Sequence, residues 1–131
     1  MSVGSEEIKG HPCFAELDAA EVQLLCDAAN MQMYRKGEYL IREGGTNHHL
    51  FLIIEGSVQI KSYGVKIAKL SSGNLLGEVS TTGMGQPIAD VVAANAVTVY
   101  KFPVSEINKI AAKNPSFATC LHHRAMDRVL Q

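Results

Sequence analysis

From Met31 to Phe102 the apolar residues come in short runs of strand length, each closed by a turn, and helical spacing appears only on either side. That alternation limits the chain to a few architectures. Met31 and Met33 lead to the turn Lys36-Gly37-Glu38; Tyr39-Leu40-Ile41 leads to the loop Glu43-Gly44-Gly45-Thr46-Asn47. Leu50 to Ile54 is a continuous apolar run closed by Glu55-Gly56, and Val58 and Ile60 then alternate with Gln59 and Lys61, so that face meets water. Tyr63-Gly64 turns the chain into a return strand over Val65, Ile67 and Ala68 to Leu70, and Ser71-Ser72-Gly73-Asn74 forms a loop. Val91 to Ala93 and Val97 to Phe102 complete the set. Short strands at this spacing predict a sandwich or jelly roll.

Helices are expected at both ends. Asp18-Ala19-Ala20-Glu21 has the D-x-x-E form of a capping box, and Val22, Leu25, Cys26 and Ala29 follow at helical spacing until Asn30. Ile8 to Phe14 reads as a shorter turn or helix broken by Gly10 and Pro12. After Pro103, one helix carries Ile107, Ile110 and Ala111 on a face; Asn114-Pro115 then caps and opens another, with Phe117, Leu121, Ala125 and Val129 on one stripe. The expected layout is one domain over 1–131, with helices in 1–30, a β region in 31–102 and helices in 103–131.

With 12 Lys and Arg against 13 Asp and Glu, the net charge is −1. A nucleic-acid module working alone carries a basic excess, so this chain is not expected to bind nucleic acid directly. No apolar run approaches the roughly 20 residues of a membrane-spanning helix, and the first residues lack the basic-then-apolar order of a signal peptide. Cys13, Cys26 and Cys120 are odd in number and make no CxxC pair, which suits reduced thiols and a cytoplasmic location. The tandem pairs His48-His49 and His122-His123 make poor metal geometry, so no metal site is expected. There is no Gly-x-Ser-x-Gly elbow, HExxH or phosphate-loop pattern, and no catalytic residue is assigned.

The segment from Leu75 to Asp90 has a different texture. It runs through a Gly-Glu pair, a brief helical turn, a Gly-rich bend and Pro87 before a new strand. A turn of that kind presents backbone N–H groups with no partner inside the turn, which suits an anion. Here the chain resembles the cyclic nucleotide-binding domain of the catabolite-activator type. The resemblance covers about residues 10 to 131. It rests on Lys36-Gly37 before Leu40-Ile41, Glu43-Gly44, Leu52-Ile53-Ile54-Glu55-Gly56-Ser57-Val58, Gly73 before Gly77-Glu78, and Pro115 with the closing amphipathic helix. It implies an antiparallel β jelly roll flanked by helices, acting as a regulatory ligand-sensing domain.

The resemblance also assigns roles. Gly77 would let the backbone approach a sugar-phosphate, Glu78 would accept a hydrogen bond from the ribose 2′-hydroxyl, and Val79 and Ser80 would offer N–H groups to the cyclic phosphate. The closing helix would cover the base and form a homodimer seam. In this family the cassette carries Arg followed by Ser or Thr, where this chain has Ile88 and Ala89, with Asp90 next. A charge-assisted hydrogen bond contributes roughly 1.5–3 kcal/mol, and truncating one side of a buried charge pair costs about 2–5 kcal/mol. At 1.4 kcal/mol per tenfold, ordinary cyclic AMP or cyclic GMP is expected to bind roughly ten- to several-thousand-fold more weakly. Two readings follow: a sensor for a cyclic nucleotide or another small anionic ligand, or a dimerisation module with a vestigial pocket. The DNA-binding helices of the wider family lie beyond the closing helix, so this chain is expected to be either part of a longer protein or a short one without that output.

Overall fold

The computed structural model describes residues 4–77, Pro87 and residues 89–130. Helix α1 (Ser5–Lys9), a 3-10 turn (Phe14–Glu16) and α2 (Ala19–Ala28) lead into strands β1 (Asn30–Tyr34), β2 (Tyr39–Ile41), β3 (His49–Glu55), β4 (Ser57–Ser62), β5 (Val65–Ser71), β6 (Leu75–Leu76), β7 (Asp90–Ala93) and β8 (Val97–Pro103). Helices α3 (Val104–Lys113) and α4 (Pro115–Leu130) close the chain. The strands form two sheets of four, in the orders β1-β8-β3-β6 and β2-β7-β4-β5. Every pairing between them is antiparallel. This is the expected jelly roll with helices at both ends.

The unbroken apolar run in β3 now has a cause. The strand is covered on both faces, so both sets of alternating side chains are apolar. Phe51 and Ile53 join Val97 and Val99 of β8 in the space between the sheets, where they meet Ile41, Val58, Ile60, Val91 and Ala93 from the opposite sheet. Leu50 and Leu52 point the other way with Tyr100 and Phe102, into a second core built with the helices. Phe14, Leu25, Ile107, Ile110, Phe117 and Leu121 supply the helical side of that core. The hairpin from β3 to β4 turns at Gly56, with φ at +88°. A side chain there would collide with the Ala96 carbonyl and the Asn95 side chain, so only glycine lets these chains approach so closely.

Local signals set the helix ends. The Asp18 carboxylate accepts from the Glu21 N–H at 2.8 Å and the Glu21 carboxylate accepts from the Asp18 N–H at 3.0 Å, so the capping box is complete. Asn114 caps α4 through its side-chain oxygen, which accepts from the Phe117 N–H at 3.1 Å. Its amide also donates to the Glu16 carbonyl and to the Glu21 carboxylate, each at 3.1 Å. One residue thus fastens the start of α4 to the 3-10 turn and to α2.

Two expectations change. Cys13 and Cys120 are joined as a disulfide, with Cα atoms 5.5 Å apart across a separation of 107 residues, and Cys26 alone is a free thiol. Cysteine number and spacing describe only neighbours along the chain; the packing of α4 over the N-terminal segment brings these two together. The apolar stripe of α4 is also committed: Phe117, Leu121 and Ala125 are buried within this chain, so they do not offer a free seam. Among the described residues no helix is long and apolar enough to cross a membrane.

Candidate functional site

The short strand β6 pairs with β3, Leu75 opposite Leu52 and Leu76 opposite Phe51, and this pairing delivers Gly77 to the sheet edge. Gly77 has φ at +90°. A Cβ there would lie 2.7 Å from the His49 carbonyl oxygen and 2.8 Å from the Asn47 amide nitrogen. The conformation and the closeness of the neighbouring chain therefore both demand glycine. Asn47 holds its own place by donating to the His49 carbonyl at 2.8 Å and accepting from the His49 N–H at 3.2 Å.

The same loop grips the far end of the segment. The Gly44 N–H donates to the Pro87 carbonyl at 2.9 Å. The Glu43 N–H donates to the Asp90 carboxylate at 2.7 Å. Asp90 is thereby engaged in holding the loop. Residues 43–49 thus bracket both ends of the candidate cassette. Beside them an open hollow of about 730 Å³ is lined by Tyr39, Leu40, Ile41, Arg42, Gly45 and Thr46, among others. The exposed Arg42 guanidinium stacks 4.1 Å from the centre of the Tyr39 ring and brings a positive charge to that wall.

Of the residues assigned from sequence, Gly77 and Ala89 can be placed. Ala89 is buried, with its methyl group in the core between the sheets, and it has no side-chain donor. Glu78, Val79, Ser80 and Ile88 lie outside the described residues. The structure brings Gly77 and Ala89 to opposite ends of one segment secured by one loop.

The histidines differ sharply. Burial lowers the pKa of His49, with the Lys101 and His48 charges adding to the effect. Among the described residues no three His, Cys, Asp or Glu side chains gather closely enough to hold a metal ion. His11, which carries no motif and drew no assignment from sequence, is only 2% exposed. Its Nδ1 accepts from the Cys13 N–H at 3.1 Å, and its ring lies 5.7 Å from that of Phe14. Burial, aided by the charge of Arg124, lowers its pKa to about 4. The Pro12-Cys13-Phe14 context showed only a turn; nothing local announced that Arg124 would face it.

The family model for the cyclic nucleotide-binding domain matches residues 31–114. The mouse (Mus musculus) potassium/sodium hyperpolarization-activated cyclic nucleotide-gated channel 2 is 28% identical over 118 residues, which is 90% of this chain and 14% of that protein. The chain therefore spans only a small part of such relatives. Among solved structures, the regulatory domain of Toxoplasma gondii PKA in a co-crystal with cAMP superposes with a TM-score of 0.84 at 22% identity, covering 94% of this chain and 48% of that one. The sensor domain of the transcriptional regulator DNR from Pseudomonas aeruginosa gives 0.83 at 19% identity, covering 98% and 94%. At these identities the two structures speak for the fold.

Proposed function

The chain belongs to the cyclic nucleotide-binding domain family, and we propose that it is a ligand-sensing regulatory domain whose affinity for ordinary cyclic nucleotides is reduced by Ile88. The observation that carries this reading is Gly77. It has the left-handed backbone found in anion-cradling turns, at the position where the family places the cassette. A relative that is a cyclic nucleotide-gated channel supports the same ligand class.

In this reading Gly77 admits the sugar-phosphate, Glu78 accepts from the ribose 2′-hydroxyl, and Val79 and Ser80 donate backbone N–H groups to the cyclic phosphate. Ile88 and Ala89 supply neither the guanidinium nor the hydroxyl that would complete the anion's shell. Ligand entry shifts α4 between two positions, and the shift is the output. A homodimer through α4 and a cytoplasmic location belong to the same reading. Because Phe117, Leu121 and Ala125 are buried in this chain, such a seam uses the outer face of α4.

Calorimetry with cyclic AMP and cyclic GMP tests the proposal. The unmodified chain is expected to give no saturation in the micromolar range. Micromolar binding would show that Ile88 does not disable the site. Sedimentation in the same buffers reads the vestigial-pocket alternative, which requires a dimer that forms without response to either nucleotide.

A further inference from the structure

The bridge between Cys13 and Cys120 joins the N-terminal segment to the helix that closes the chain. It stands beside the contact between Phe14 and Phe117, whose ring centres are 5.7 Å apart. Its two halves differ in access, since Cys13 is fully buried whereas Cys120 is partly exposed. His11 lies on the Cys13 side, bonded to the Cys13 N–H. Arg124 follows Cys120 by one helical turn, so the two share a face of α4. The Arg124 Nε is buried without a hydrogen-bond partner among the described residues, and its charge reaches His11. A cation one turn away favours a thiolate, so the reduced form of Cys120 has a stabilising neighbour. Cys26, by contrast, has its thiol pKa raised, first by burial and then by the charges of Asp27 and Glu7, and competes poorly in exchange.

We propose that Cys13 and Cys120 are a reversible thiol–disulfide site that clamps α4 to the N-terminal segment when oxidised and frees it when reduced. The co-reactant is a low-molecular-weight thiol of the glutathione class. Its thiolate attacks the Cys120 sulfur, on the partly exposed half of the bridge, and the electron pair of the protein S–S bond leaves on Cys13, which takes a proton from water. A second small thiolate then attacks the outer sulfur of the mixed disulfide and releases Cys120. The balance is one protein disulfide and two small thiols giving two protein thiols and one small disulfide. Exposed disulfides are the labile, regulatory ones, and a bridge with one partly exposed half suits that use. That the clamp also gates a ligand response rests on the function proposed above; the clamp itself does not.

The test uses the whole chain without ligand, equilibrated in oxidised and in reduced glutathione. N-ethylmaleimide labelling after unfolding, read by mass spectrometry, should add one group to the oxidised form, at Cys26, and three to the reduced form. Amide hydrogen exchange across residues 115–126 should be at least about tenfold slower in the oxidised form. Cys120→Ser, a small change at a partly exposed position, should match the hydrogen exchange of the reduced form in both buffers. Three labels in oxidised glutathione would overturn the proposal, as would equal exchange in the two forms. Neither readout involves a nucleotide, so failure of ligand binding leaves this result intact.

Discussion

A single methyl group separates the backbone path at Gly77 from one that cannot form, because a Cβ there would strike the His49 carbonyl. The resemblance singled out Gly77 for another reason, the approach of a sugar-phosphate; the His49 carbonyl comes from a strand distant in sequence, and no local pattern carried that contact. His11 drew no assignment at all. Its surroundings are made by Phe14 nearby and by Arg124 from the far end of the chain, and no local pattern carries them. Its folded pKa, about 4, lies below the 6.5 of an exposed histidine. Between those values the unfolded chain binds the proton and the native chain does not. Stability is therefore full above pH 6.5 and declines as pH falls towards 4, by up to roughly 3 kcal/mol from this group. Proton NMR of the His11 ring should show a midpoint near pH 4, with urea unfolding midpoints falling over the same interval. A midpoint near 6.5 would contradict the burial argument.

The strands and helices were legible wherever one face alone meets water or a cap announces an end. The capping box at Asp18 and the Pro115 start of α4 stand where their signals put them. What covers an apolar stripe is a different matter, because periodicity defines a face without naming its partner. The face of α4 that could have been a dimer seam is instead packed on Phe14, Ile107 and their neighbours. Asn114 governs that docking from the helix end, with one oxygen on the Phe117 N–H and one amide shared by Glu16 and Glu21. Asn114→Ala removes a cap and leaves those acceptors without the amide. The expected loss is about 1–3 kcal/mol, seen as a lower urea midpoint and faster hydrogen exchange in the first turn of α4. An unchanged midpoint would mean that the apolar face and the Cys13–Cys120 bridge hold α4 without help from Asn114.

At the scale of the molecule, the two-sheet architecture followed from the rhythm of short strands, but the strand order did not. Nor did the role of residues 43–49, which bracket Gly77 and Asp90 through contacts distant in sequence. The Cys13–Cys120 bridge escaped for the same reason: only the finished fold brings its halves together. These distant contacts place the ends of the segment to which the proposed function assigns phosphate binding, and in that proposal the residues at 88 and 89 decide how well an anion is held. The most direct measurement is therefore calorimetric titration of Ile88→Arg, alone and with Ala89→Ser, against cyclic AMP and cyclic GMP. Restoring the guanidinium and then the hydroxyl should raise affinity by at least about tenfold over the parent, the equivalent of one charge-assisted hydrogen bond. A correctly folded double variant that binds neither nucleotide more tightly than the parent would contradict the account.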